Sequence, residues 1–298
     1  MERVESPLDL RVDRWAGVVM LVGDTDSGKS SLARRMWPAI VSSHRRPAFL
    51  DADMGQGIIG PPTAQSLALF SPAHPHPFPP RGKRVRYFVG SITPRKHMLD
   101  TLVGLSLLVR EALSGSDLIL VDTTGFVSPK QGGIYLKGAK MEILRPSLVV
   151  ILELEREIST MLEPWEALGI PMVSLPVSPN VRERSLEERR ERRRFRLRRY
   201  FRNSRRFHLK AGIPAIGHGN LEAGRLLGLL DHKGFLLSLA VCEDSGETIT
   251  VSSPLKENLL DAVSAIRLSD LWLDPRTGEH GRYIPPEAAE TRSRCHEQ

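Results

Sequence analysis

The stretch Gly23-Asp24-Thr25-Asp26-Ser27-Gly28-Lys29-Ser30 has the residue types and spacing of a complete phosphate-binding loop. An apolar run, Gly17-Val18-Val19-Met20-Leu21-Val22, precedes it, and the helix-like Ser31-Leu32-Ala33-Arg34-Arg35-Met36 follows. Gly23 and Gly28 let backbone N–H groups curl around phosphate oxygens, and the helix points its positive end at them. Lys29 would reach the β- and γ-phosphates, and the Ser30 hydroxyl would hold Mg²⁺. A chance glycine turn between a strand and a helix would not fill every one of these positions. The expected ligand is a nucleoside triphosphate.

Such a loop needs acids that manage Mg²⁺ and the nucleophile. Leu50-Asp51-Ala52-Asp53-Met54-Gly55-Gln56 closes a second apolar run, and in an extended segment Asp51 and Asp53 point to the same face. Asp122 ends the run Asp117-Leu118-Ile119-Leu120-Val121 and opens Thr123-Thr124-Gly125-Phe126. An acid after an apolar strand is the usual Mg²⁺-side residue of nucleotide-binding sheets. Either acid could instead cap a turn, but three carboxylates fall where a nucleotide site wants them. Asp122 to Gly125 also reads as the D-x-x-G of a GTPase. That reading takes second place, because Leu175-Pro176-Val177-Ser178-Pro179-Asn180 lacks the Lys and Asp of a guanine-reading N-K-x-D stretch.

The elements that must position these residues follow from hydrophobic patterning. Strands are expected near 17–22, 47–51, 85–89, 117–122, 147–152 and 171–175, with helices near 29–42, 96–114, 155–168 and 183–202. Pro38 should kink or shorten the first helix. The alternation predicts an α/β fold of the P-loop NTPase type, a parallel sheet wrapped by helices. Beyond about residue 205, short strands are expected at 225–231, 234–242 and 247–253, and a helix at 255–266. Residues 1–14 read as an N-terminal extension, 15–205 as the P-loop domain, 206–284 as a small β-rich C-terminal domain and 285–298 as a disordered tail. Residues 71–80 form a proline-rich loop, whose His74 and His76 read as surface residues rather than metal ligands.

Bulk properties exclude several classes. No apolar run approaches the ~20 residues a membrane helix needs, and the first residues lack a signal-peptide pattern. Cys242 and Cys295 are the only cysteines among 298 residues, which argues against a disulfide framework and makes a cytoplasmic compartment the expectation. The net charge of +7 is concentrated. Residues 181–210 hold 13 Arg and 1 Lys against 4 Glu, a local +10, so the remainder is about −3. Such a stripe suits a polyanion, since it neutralises phosphates.

The ordered set of motifs resembles the polynucleotide 5′-hydroxyl kinases, which include the kinase subunit of the mRNA 3′-end cleavage factor, the nucleolar ribosomal-RNA-processing kinase and archaeal relatives. The residues that carry it are Gly23–Ser30, then Asp51-Ala52-Asp53-Met54-Gly55-Gln56-Gly57, which is similar to a D-x-D-x-G-Q block. Gly60-Pro61-Pro62-Thr63 and Tyr87–Pro94 follow, and Thr123-Thr124-Gly125-Phe126 stands at the family's T-x-G-W clasp. Arg184-Ser185, Arg189 to Arg193 and Arg198-Arg199-Tyr200-Phe201 look like its arginine lid, and Arg225–Asp231 like the start of its small C-terminal domain.

The resemblance spans about residues 15–270. It implies transfer of the ATP γ-phosphate to the 5′-hydroxyl end of RNA and/or DNA, as in RNA processing. It assigns Asp51 as the base, and Asp53 and Gln56 to Mg²⁺, its waters or the substrate end. Lys29, Arg189 and Arg193 fall to the transferring phosphoryl group, and Thr123 to Phe126 to the clasp. Arg189 and Arg193, four apart on a helix, share a face, and the other arginines of 182–206 could track the strand's backbone. Two departures stand out: Phe126 replaces the clasp Trp, and the chain begins almost at its first strand, so the family's N-terminal β domain is expected to be missing. The competing expectations are a nucleotide-dependent RNA-binding or assembly factor without kinase activity, and a small-molecule kinase, which would not need the basic stripe.

Overall fold

Fully buried apolar side chains line up along the central runs: Val19, Met20 and Val22 in one, Phe49 and Leu50 in a second, Ile119 and Val121 in a third. Residues buried on both faces of a strand are what a sheet covered by helices on both sides requires. The computed structural model describes residues 2–7, 10–71, 78–246 and 248–282. It divides into two units, residues 1–189 and residues 190 onward. The proline-rich residues 72–77 with His74 and His76, and the tail 285–298, lie outside the described residues.

The first unit carries β1 (Glu2–Arg3), β2 (Gly17–Gly23), α1 (Lys29–Ser43), β3 (Pro47–Ala52), β4 (Ala64–Leu69), β5 (Arg84–Phe88) and α2 (Met98–Leu113). It continues with β6 (Leu118–Thr123), α3 (Gly133–Leu144), β7 (Leu148–Glu153), α4 (Glu157–Ala167), β8 (Met172–Pro176) and the start of α5 (Leu186–Phe201). The sheet order is β1-β8-β7-β2-β6-β3-β4-β5. All neighbours from β1 to β3 are parallel, whereas β4 runs antiparallel to both β3 and β5. The phosphate-loop strand β2 therefore sits between β6 and β7, and Asp122 of β6 sits between Leu21 of β2 and Asp51 of β3.

Helix α1 packs through Leu32, Ala33, Met36, Trp37 and Ile40, an i, i+4, i+8 stripe. Burial of side chains the size of Trp37 or Ile40 contributes about 1.5–3 kcal/mol each. Of the kink or shortening expected at Pro38, shortening does not occur, and α1 runs on to Ser43.

Helix α3 was not legible as an amphipathic pattern, for a clear reason. Its buried face carries Lys137, Gly138 and Lys140 beside Ile134 and Met141. Gly138 is needed because a Cβ there would lie 2.0 Å from the Trp165 ring. The pattern reading also missed strand β4, Ala64–Leu69, its buried Gln65 and Ser66 masking it as polar chain, and the two-residue β1, which pairs with β8 inside the expected N-terminal extension.

The second unit holds β9 (Arg205–His208), β10 (Ala215–Ile216), β11 (Arg225–Leu230), β12 (Leu236–Ser245), β13 (Ile249–Ser253), β14 (Ala265–Leu273) and β15 (His280–Arg282). Their order is β10-β14-β11-β12-β13-β9, with β15 on β14. The core includes Leu227, Leu229, Ala240, Val251 and Ile266. The helix expected over 255–266 is instead a 3-10 turn at Glu257–Ala262 followed by β14. The strand takes over at Ala265, and beyond the expected helix Ser269, Leu271 and Leu273 alternate inward with a period of two.

Candidate active site

The loop from Gly23 to Ser30 turns between β2 and α1 and is held from inside. Lys29, 6% exposed, folds its ammonium back to donate to Gly23 O (3.0 Å), Asp24 O (2.6 Å) and Ser27 Oγ (3.2 Å). Burial lowers its pKa from the ordinary lysine value, and Asp122, Asp53, Asp24 and Asp26 counteract that. The Thr25 amide donates to Asp24 Oδ1 at 2.5 Å, and Leu32 N–H reaches Gly28 O at 2.8 Å.

Beside the loop, Ser30 Oγ donates to Asp122 Oδ2 at 2.5 Å. Asp122 is buried, and burial pushes its carboxyl up to about 6 against the pull of Lys29. Its Oδ1 has no hydrogen-bond partner among the described residues. Asp51, its register neighbour on β3, is equally buried. Burial first, and the Asp122 charge second, push Asp51 up to about 8, with the Ile59 N–H opposing them.

The Asp51 carboxylate also organises the loop that follows it. Oδ1 accepts from Asp53 N–H (3.2 Å), while Oδ2 accepts from Ile59 N–H (2.8 Å) and from Ile58 N–H. Asp53 Oδ1 accepts from Gly55 and Gln56 N–H, both at 2.8 Å. Thr63 then ties this loop to the end of β5, with Thr63 N–H on Met54 O and Val89 and Gly90 N–H on Thr63 O. The D-x-D-x-G-Q stretch is thus a loop cinched around its own first carboxylate.

The arginine segment enters the same unit through Arg184 and Arg189. Asp26 Oδ1 accepts from Arg184 Nη1 at 3.1 Å, and Asp26 Oδ2 accepts from Arg189 Nη2 at 3.0 Å. Gln56 Nε2 donates to Arg189 O at 3.2 Å, and Gln56 Oε1 is buried without a hydrogen-bond partner among the described residues. Phosphate loop, Gln56 loop and Arg189 therefore converge. Arg193 belongs to the second unit, where its Nε lies 3.4 Å from His280 Nε2.

The Thr123–Phe126 turn approaches the phosphate loop closely. A Cβ on Gly125 would lie 2.3 Å from Thr25 N, so only glycine lets the two backbones meet. Thr123 points into the sheet, its Oγ1 donating to Leu21 O at 2.7 Å, and Phe126 is half-buried.

Two residues here escaped the sequence reading. Lys137 is fully buried and donates to Thr123 Oγ1 (2.8 Å), Thr124 Oγ1 (3.4 Å) and Thr124 O, and burial lowers its pKa well below the ordinary value. Lys140 is equally buried, its Nζ has no hydrogen-bond partner among the described residues, and burial brings it down to about 8 with Asp53 as the opposing charge. The signal that could have found them is two lysines three apart, in a stretch otherwise apolar enough to be buried.

The chain is similar to a polyribonucleotide 5′-hydroxyl-kinase of Pyrococcus horikoshii, 36% identical over 187 residues, covering 63% of this chain and 50% of the relative. A polyribonucleotide 5′-hydroxyl-kinase of Methanocaldococcus jannaschii is 33% identical over 221 residues, covering 74% and 60%. The chain thus spans about half the length of the first of these relatives. A solved structure of wild-type Clp1p in complex with Pcf11p shares the fold, with TM-score 0.63 at 15% identity over 86% of this chain and 74% of that one. The family model described as mRNA cleavage and polyadenylation factor CLP1 P-loop matches residues 23–203, more than half the sequence, and the chain belongs to that family.

Proposed function

We propose that this protein is a polynucleotide kinase that transfers the γ-phosphate of ATP to the 5′-hydroxyl end of RNA and/or DNA. The observation that supports it most is the convergence of Arg189 with the phosphate loop at Asp26 and with Gln56. A nucleotide switch needs only the first of these partners, whereas a kinase also needs a wall for the acceptor.

A ribose hydroxyl is a poor nucleophile near neutral pH and needs a base. A carboxylate has about four lone-pair sites. Backbone N–H groups occupy three of those on Asp51, which leaves one on Oδ1 for the proton of the 5′-hydroxyl. As that proton moves, the ribose oxygen bonds to the γ-phosphorus and the bond to the β-phosphate bridge breaks, releasing ADP. Lys29 and Arg189 neutralise charge on the phosphoryl oxygens. Gln56, with its buried and unpartnered Oε1, orients the acceptor end.

Ser30 and Asp122 fit Mg²⁺, being hard oxygen donors side by side, with Asp122 Oδ1 buried and unsatisfied. Mg²⁺ is commonly held by one or two carboxylates together with substrate phosphates. Asp53 is the further carboxylate assigned to it. When bound, the cation supplies charge neutralisation on the phosphates.

The test is incubation with γ-labelled ATP, divalent metal and 5′-hydroxyl RNA or DNA oligonucleotides. Label should appear on the oligonucleotide, and Lys29→Ala should reduce the rate by about 10²–10³. Failure to label any end across metals and substrates overturns the reading.

A further inference from the structure

The second unit contains a groove of about 840 Å³ walled by the C-terminal turn of α5, by β12 and by the turn that precedes β15. Its lining includes Phe195, Arg198, Arg199, Arg202, Glu243 and Arg276. All four arginines are exposed, and Phe195 is 54% exposed. The single acid of this set, Glu243, is already matched by Arg206 at 2.6 Å. Among the described residues no carboxylate pairs with Arg198, Arg199 or Arg202. Arginines nearby in sequence but outside the groove are matched, Arg182 by Glu188 and Arg205 by Glu257.

An unbalanced cationic concavity with an aromatic face at its rim has one fitting ligand chemistry. The guanidinium groups suit phosphodiester oxygens, and an exposed phenyl ring suits an unpaired base, which a duplex keeps stacked inside. We infer that this groove is a binding site for single-stranded RNA backbone, gripped by Arg198, Arg199, Arg202 and Arg276 with Phe195 stacking on a base. The inference rests on the nucleic-acid-substrate reading of the protein, and it assigns residues of the second unit that the proposed phosphotransfer step does not use.

Equilibrium binding of a fluorescent single-stranded oligouridylate to the full chain, without ATP and across a salt series, tests it. The Arg198→Gln/Arg199→Gln/Arg202→Gln variant should bind about tenfold more weakly, and its log–log salt slope should shrink by about 2, at roughly 0.7 per lost contact. Removing the same charge at Arg3, Arg11 and Lys83, which are ion-paired and lie outside the arginine segment, should change the affinity by less than about twofold. Phe195→Ala should weaken single-strand binding and leave duplex binding unchanged. An unchanged slope in the groove variant, equal losses in both triple variants, or Phe195→Ala acting equally on duplex overturns the proposal. Because this readout contains no phosphoryl transfer, failure of the labelling experiment leaves it intact and separately decidable.

Discussion

Arg189 Nη2 lies 3.0 Å from Asp26 Oδ2, so an arginine of the basic segment is held by the phosphate loop's own carboxylate. Both side chains are largely buried, 17% and 10% exposed, and Arg184 shares the same acid. Asp26 adopts φ +56°, a left-handed geometry uncommon for a non-glycine residue, which the two arginines hold in place. A triphosphate entering the loop brings negative charge that competes with Asp26 for Arg189. Asp26→Asn should therefore bind ATP several-fold more tightly, as expected from removing about 1 kcal/mol of like-charge opposition. Nucleotide titration of the variant measures this, and weaker binding would show that Asp26 chiefly builds the site rather than competing in it.

Lys140 gives a stability prediction with a definite sign. Its pKa falls from 10.5 to about 8 because burial outweighs the attraction of Asp53. Below pH 8 the folded protein must bury an ammonium without a hydrogen bond, at a cost of about 3 kcal/mol. Between about 8 and 10.5 the folded amine is neutral while the unfolded one is charged, so stability rises with pH and the cost fades. Lys140→Met should raise the unfolding midpoint at pH 7, and its advantage over wild type should vanish toward pH 10.5. A less stable variant at pH 7 would mean that an unseen partner satisfies Lys140.

Lys137 holds the Thr123–Thr124 turn. Its Nζ ties Thr123 Oγ1, Thr124 Oγ1 and Thr124 O to α3. Lys137→Met keeps the apolar stem and removes the donors, leaving buried acceptors unsatisfied at about 1–3 kcal/mol each. The expected result is a fall in kcat of tenfold or more with helical content retained by circular dichroism. Wild-type turnover would remove Lys137 from the positioning machinery.

Gly125→Ala tests the contact between the Thr123–Phe126 turn and the phosphate loop. The new Cβ would meet Thr25 N at 2.3 Å and Thr25 Cα at 2.4 Å, and backbone cannot swing aside as a side chain does. Overpacking of this kind costs about 1–3 kcal/mol, here levied on the loop that cradles phosphate. Affinity for ATP should fall by at least tenfold in a nucleotide titration, and an unaltered affinity would show that the two turns separate freely.

Much of the site was legible because its chemistry is local. Gly23–Ser30, Asp51-x-Asp53 and Asp122 each sit at the end of an apolar strand, so short-range pattern named both the residues and the elements. The central strands and α1, α2, α4 and α5 followed from periodicity for the same reason. What periodicity could not read was burial that breaks the apolar rule. Lys137, Gly138 and Lys140 are buried because α3 packs against the Asp122–Gly125 turn and Trp165, a tertiary circumstance with no sequence period. Likewise Asp51 carries its own loop on its oxygens, Asp26 rather than a ligand holds Arg189, and Arg198, Arg199 and Arg202 line a groove. The sequence alone determined which groups are present and which strand ends they occupy, since chain connectivity fixes those. Only the tertiary structure decided which charges are paired, buried or left over, because that depends on neighbours up to 163 residues away.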